Sequence, residues 1–444
     1  MADCIVQTPC GAVRGAETDG VRLFRGIPYA VTERFERPVQ ISAWEGEFDA
    51  VKGETDCWQY SAFRDKAAGE GSFYSREFRS GMRFHYAESP MTLNIVAPSE
   101  AEKAPVLVFI HGGGHETGTV GELPYGDCRA YAEKGILFVS VGYRLNVFSL
   151  YENKNLGLHD MIEAIRWLHR NIAAFGGDPA RMTLIGQSAG AMSITDLLYC
   201  DKLKGLVQGA VLMSGGGAVP KLAGPLTRDK AAGFWAQVRE RAGAPDEEAF
   251  RRLPPQEIWE AWFAVSRENY DFHLVQPGID GEIIRGEPGK LLKEGGCLDI
   301  PLIFGITSQD FLAPVLYYMA RQWGSVNARL HRAPVYGYFF DRTPPGNSYK
   351  AFHAVDLWYL FGNMERCWRP FEETDYALHR QMVSYVANFV RTGDPNGEGL
   401  PRWPVLTGRQ KGLRKFDGVT DGLALPGECW RKTLNTFLRD KGPM

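Results

Sequence analysis

Gly186-Gln187-Ser188-Ala189-Gly190 is the segment of this 444-residue chain whose residue types and spacing best suit covalent chemistry. Glycines two residues to either side of a serine suit a tight, strained turn in which neighbouring backbone comes too close for a Cβ. The turn follows the β-branched run at residues 183–185 and precedes residues 191–198, which read as a helix. Strand, sharp turn, helix is the arrangement that lifts a hydroxyl clear of a sheet, where it can attack a carbonyl carbon.

An alcohol attacks poorly until a base removes its proton, so a histidine must reach Ser188 and an acid must orient that histidine. On a turn of this kind the partners follow in the order serine, acid, histidine. Three histidines lie late enough: His331, His353 and His379. His331 precedes the apolar run at 335–339 and His379 falls in a helical pattern over 376–390. His353 follows the run, where a loop can project over the serine, and is the expected base. Asp310 is the expected acid, the first carboxylate past the run at 301–305. Asp280 is the alternative, although Pro277-Gly-Ile-Asp-Gly281 reads as a turn. The oxyanion formed on attack needs fixed N–H donors. His111-Gly112-Gly113-Gly114, directly after the run at 106–110, offers Gly113 and Gly114, with Ala189 as the third donor.

The elements that must hold these groups alternate along the chain. Short apolar runs at 106–110, 137–141, 183–185, 211–213, 301–305 and 335–339 are what a parallel sheet covered on both faces requires. Between the second and third, Leu158, Met161, Ile162, Ile165, Leu168 and Ile172 recur at helical spacing, which makes a βαβ unit and an α/β class. With no repeat, low-complexity segment or long linker, residues 1–444 read as a single catalytic domain with insertions.

Composition narrows the function. A 44% hydrophobic and 12% aromatic chain can build a large core. Fifty Lys plus Arg against 53 Asp plus Glu leave a net charge of −3, with no basic field for nucleic acid. No apolar stretch approaches the ~20 residues that span a bilayer. The amino terminus lacks a basic start and an apolar run and reads as a mature start. Eight cysteines are scattered without a C-x-x-C pair, which favours reduced thiols and a cytoplasmic protein.

Taken in order, these segments resemble the type B carboxylesterases, the family of bacterial para-nitrobenzyl esterases and the cholinesterases. The likeness starts at Gly11-Ala-Val-Arg-Gly15 and Phe24-Arg-Gly-Ile-Pro-Tyr-Ala30 and runs through the glycine loop, Tyr143-Arg-Leu145 and Asn171-Ile-Ala-Ala-Phe-Gly-Gly-Asp-Pro179. It resumes at Phe352-His-Ala-Val-Asp-Leu-Trp-Tyr-Leu-Phe-Gly362, at Asn388-Phe-Val-Arg-Thr-Gly-Asp-Pro-Asn396 and at Trp403-Pro404. The resemblance implies an α/β-hydrolase fold, hydrolysis of small-molecule carboxylic esters through an acyl-enzyme, and His353 as the catalytic histidine.

Several positions depart from the family pattern. The triad acid is usually Glu, and Asp310 is one methylene shorter. The residue before the serine is usually Glu; Gln187 removes a buried charge there and is not expected to touch the reacting groups. The family's partner for a cysteine at Cys57 is replaced by Pro90, so Cys57 is expected to be unpaired. Between about 311 and 320 the chain lacks several tens of residues that in relatives form helices of the active-site wall, so the mouth is expected to be wider or covered differently.

Other features read as structural. His111 and His115 lie on a glycine loop without a third ligand, so no metal is expected. Gly215-Gly-Gly217 lacks phosphate-loop spacing and reads as a tight turn. Trp358, Tyr359 and Phe361 suit core better than a substrate pocket, and His159 and His169 are simply helical residues. No cofactor is expected, and the oligomeric state is not legible. The same machinery would also serve amides, thioesters or carbamates, and a fold of this kind can persist in non-catalytic binding proteins.

Overall fold

A computed structural model describes residues 2–51, 53, 55–60, 73–217, 228–269 and 272–425. Its central sheet is built from β1 (Ala2–Thr8), β2 (Gly11–Thr18), β3 (Val21–Pro28), β4 (Thr92–Pro98), β5 (Ala104–Ile110) and β6 (Leu137–Val141). It continues through β7 (Gly177–Gln187), β8 (Gly209–Met213), β9 (Leu302–Thr307), β10 (Val335–Phe340), β11 (Leu413–Phe416) and β12 (Leu423–Ala424). The spatial order is β1-β2-β3-β4-β6-β5-β7-β8-β9-β10-β11-β12. From β6 to β11 every pairing is parallel, and β1 to β4 form an antiparallel meander on one flank. This mostly parallel sheet flanked by helices is the α/β-hydrolase arrangement.

Each of the six apolar runs read from the sequence coincides with one of the parallel strands, the run at 301–305 starting one residue before β9. Their continuous apolarity follows from burial on both faces: Val106, Val108 and Ile110 of β5 join one core, and Leu107 and Phe109 join the core on the opposite face. The crossover helix α2 spans Leu156–Asn171, packing Leu158, Met161, Ile162, Ile165 and Leu168 into the first core. It follows α1 (Phe73–Phe78) and precedes α3 (Ala189–Leu198), α4 (Ala313–Arg329), α5 (Asp356–Phe361) and α6 (Glu373–Thr392). Trp358, Tyr359 and Phe361 are fully buried in the second core, in line with their structural reading.

Two tethers behind the sheet fix the loops at its carboxyl ends. Arg144 pairs with Asp160 of α2 at 2.6 Å, and its backbone N–H donates to the same carboxylate at 3.0 Å. The adjacent Tyr143 hydroxyl donates to the carbonyl of His111 at 2.7 Å, anchoring the start of the glycine loop. Cys57 is an unpaired buried thiol that accepts from the Leu145 N–H at 3.3 Å; Cys429 lies outside the described residues. No helix among the described residues is long and apolar enough to cross a membrane.

Candidate active site

Sheet register brings the glycine loop and the serine turn together. Ile110 pairs with Gly186 and Gln187 with Met213, so β5, β7 and β8 deliver His111, Ser188 and Ser214 to one end of the sheet. Carboxyl ends of adjacent parallel strands are where open α/β sheets place their sites. Ser188 adopts φ 54° and ψ −121°, an uncommon conformation for a residue with a Cβ, and its N–H is held by the Met213 carbonyl at 2.8 Å. Both flanking glycines are sterically required. A Cβ on Gly186 would lie 2.7 Å from the Gly190 carbonyl carbon, and one on Gly190 would lie 2.1 Å from the Ile110 oxygen.

The acid and the histidine arrive on separate loops that a single bridge aligns. Gln309 and Phe352 form an isolated parallel pairing, with the Gln309 N–H donating to the Ala351 carbonyl at 3.0 Å, so the next residues, Asp310 and His353, lie side by side. His353 Nδ1 lies 2.8 Å from Asp310 Oδ1. A carboxylate only accepts, so the proton sits on Nδ1 and Nε2 presents a lone pair. Burial opposes ionisation of Asp310. The hydrogen bond and charge of His353, together with the Thr307 N–H, outweigh it and hold the carboxyl below its usual range. The Thr307 hydroxyl at 3.2 Å and the Phe311 N–H at 3.0 Å also donate to the carboxylate.

Gln187 corrects one expectation. Its side-chain Nε2 donates to His353 Nε2 at 3.1 Å, so it does touch the histidine expected to act as base. Among the described residues no hydrogen bond joins Ser188 Oγ to His353, and the lone pair a serine proton would need is taken up by this amide. The side chain reaches the ring because Gln187 points to the same end of the sheet as the serine, an orientation that a motif read as a string does not reveal.

The other sequence candidates fall outside the centre. Asp280 accepts from the N–H groups of Glu282, Ile283 and Ile284 and from Asn155, which makes it the turn cap its context suggested. His379 is engaged with the Tyr359 carbonyl at 2.8 Å behind α5, and His331 follows α4 away from the site.

Ser188, Asp310 and His353 line a cavity of about 500 Å³. Gly113 (φ 113°) and Gly114 (φ 66°) face it in left-handed conformations, and a Cβ on Gly113 would lie 2.0 Å from the Thr117 oxygen. Their N–H groups, and that of Ala189 in the first turn of α3, are not taken up by another group among the described residues. Because α4 begins three residues after Asp310, the wall beside His353 is short. Phe311 lies over the imidazole with ring centroids 4.7 Å apart, joined by Leu312, Leu316 and Tyr74. Sequence reasoning missed several lining residues, among them Tyr74, Asp196 and Gln276, which come from distant elements. Gly215–Gly217, read as a turn, is also cavity wall; its position just past β8 was the available signal.

Two buried histidines support the glycine loop. His115 Nε2 lies 3.0 Å from Ser193 Oγ and His111 Nδ1 lies 2.9 Å from the Gly112 carbonyl; burial pushes both imidazoles down to about 4. Unfolded, they take up protons near 6.5. The unfolded chain therefore binds more protons as pH falls from about 6.5 to about 4, and the stability present above that window is lost across it. Each histidine adds a slope approaching about 1.4 kcal/mol per pH unit. Urea unfolding is expected to show a lower midpoint at about pH 5 than at about pH 7, with the difference reduced in His115→Gln. Equal midpoints in the wild type would contradict this.

Comparison with known proteins agrees with this architecture. The family model described as Carboxylesterase family matches residues 2–330 and 322–421. The para-nitrobenzyl esterase of Bacillus subtilis (strain 168) is 29% identical over 475 residues, covering 91% of this chain and 93% of that protein. Carboxylesterase 5A of Canis lupus familiaris is 28% identical over 528 residues, covering 96% and 88%. The structure of a thermophilic para-nitrobenzyl esterase superposes with a TM-score of 0.82 at 26% identity, covering 97% of this chain and 99% of that one. A serine on a strained strand-to-helix turn, a histidine bridged to a carboxylate, and likeness along nearly the whole chain lead to one assignment: the chain belongs to the carboxylesterase family.

Proposed function

We propose that this protein is a serine carboxylesterase that hydrolyses small-molecule carboxylic esters, with Ser188 as nucleophile, His353 as general base and acid, and Asp310 as the residue orienting His353. The observation that carries the reading is the 2.8 Å contact of His353 Nδ1 with Asp310, which turns a basic Nε2 toward the cavity that Ser188 lines. Ser188 Oγ attacks the ester carbonyl as His353 Nε2 takes its proton. The tetrahedral oxyanion accepts hydrogen bonds from the N–H groups of Gly113, Gly114 and Ala189. Collapse expels the alcohol, which receives the proton from His353 and leaves an acyl-Ser188 ester. Water, deprotonated by His353, then releases the acid and restores the serine.

Residues 1–444 act as one catalytic domain, and a cytoplasmic location is supported by the buried, unpaired Cys57, Cys128 and Cys200 thiols. The test is a panel of acyl esters with matched amides, compared by kcat/KM. Preference for esters is expected; faster amide turnover would reassign the leaving group, and no turnover of either would overturn the reading.

In this mechanism Gln187 and Ser188 compete for one lone pair, and the amide must yield before attack. Gln187→Glu places a carboxylate beside the ring, which favours the imidazolium and removes the base at higher pH. The acid limb of kcat/KM is expected to move up by about one pH unit. An unmoved profile would show that Gln187 leaves His353 during turnover.

A further inference from the structure

Away from the triad, the same cavity holds acceptors that the reaction above does not use. Met192, Thr195 and Asp196 fall four, seven and eight residues after Ser188, so α3 presents them on the face that follows the serine into the cavity. The half-buried Asp196 carboxylate makes no hydrogen bond or ion pair among the described residues. Gln276 also lines the cavity; it is only 6% exposed, its side chain lies beside His115, and its Oε1 has no hydrogen-bond partner among the described residues. A buried acceptor without a partner is costly, and a ligand that donates to it removes that cost.

The charged group that bears on Asp196 is Asp280, an anion fixed by its turn; Tyr199, on the same stretch of chain, is buried and neutral. Burial first and Asp280 second raise the Asp196 carboxyl to about 8. Burial disfavours an isolated charge of either sign, whereas the Asp280 carboxylate disfavours a second negative charge and favours a cation beside it. Two unfilled acceptors and this field are complemented by a group that is both cationic and rich in N–H donors.

We infer that Asp196 and Gln276 form a subsite for a primary or secondary ammonium group, so that the substrates are esters carrying an amine remote from the scissile bond. The inference rests on the esterase reading and narrows its substrate class. Eight residues of helix set the serine and the carboxylate about 12 Å apart. Less the reach of the side chains and one hydrogen bond, that spacing is spanned by roughly five to seven methylenes. When the ammonium enters, Asp196 releases its proton to solvent and the ion pair takes its place.

The test uses the full-length enzyme and pairs of esters that differ only at one terminus, an ammonium in one and a methyl group in the other. One series carries the terminus on the acyl chain and one on the alcohol, each at increasing length. In one series, at the spanning length, the ammonium ester is expected to exceed its methyl counterpart in kcat/KM by at least about tenfold. Asp196→Asn and Gln276→Leu are each expected to lower that ratio, and because it is internal to each preparation, partial misfolding does not alter it. Turnover of methyl-terminated esters with no ammonium preference in either series overturns the subsite and leaves the esterase reading standing. A ratio that survives Asp196→Asn also overturns it. Failure to turn over the methyl-terminated esters overturns the esterase reading itself.

Discussion

Ser188→Ala is expected to lower kcat for ester hydrolysis by roughly 10⁵-fold or more while leaving the fold intact. The loss is large because the change removes the covalent step rather than weakening it. Thr195 and Ser214 also line the cavity, but neither sits on the strained turn between β7 and α3, and the oxyanion donors alone retain only a modest advantage over water. The fold should survive because the turn depends on Gly186 and Gly190, not on the hydroxyl. Ser188 enters it through its backbone, with the N–H on Met213 and the carbonyl accepting from Met192 at 3.0 Å. A thermal midpoint within a few degrees of wild type, together with the kinetic loss, checks both halves. A variant that keeps a tenth of the wild-type kcat would remove Ser188 from the mechanism.

Asp310→Asn is expected to cost roughly 10⁴-fold in kcat with little change in fold. In the wild type the carboxylate accepts from His353, Thr307 and Phe311 together. An amide has one oxygen to share among them. With that oxygen kept by the backbone donors, its NH2 faces His353 Nδ1 and drives the ring proton to Nε2, the atom that must act as base. Asp310→Glu keeps the charge and lengthens the reach, and is expected to retain far more activity than the amide. Measured kcat values for the two variants decide the point. An asparagine variant within tenfold of wild type would mean that another group orients His353.

The meeting of Ser188, Asp310 and His353 at one cavity was legible in the sequence because it depends on chain order and strand ends. Ser188 sits between a run and a helix, Asp310 lies just past β9, and His353 follows β10, so the parallel sheet converts sequence order into proximity. The apolar runs marked that sheet because burial on both faces leaves no polar alternation to confuse them. The antiparallel flank was not read: β1 to β3 mix exposed and buried positions, and their pairing depends on partners as distant as β4. The cavity lining was illegible for a related reason. Tyr74, Asp196 and Gln276 line one cavity only after α1, α3 and a loop past residue 275 have packed, and no local pattern encodes that meeting. The contact of Gln187 with His353 was missed because substituting an amide for a carboxylate reads as loss of charge, whereas in place it supplies a donor to the base nitrogen.

The central claim, that Ser188 is a nucleophile activated by His353 and Asp310, is most directly tested by labelling the intact protein with a fluorophosphonate and locating the adduct by peptide mass. A single adduct on Ser188 is expected, absent from Ser188→Ala and formed far more slowly in Asp310→Asn. No adduct on folded wild-type protein, or an adduct on another residue, would contradict it.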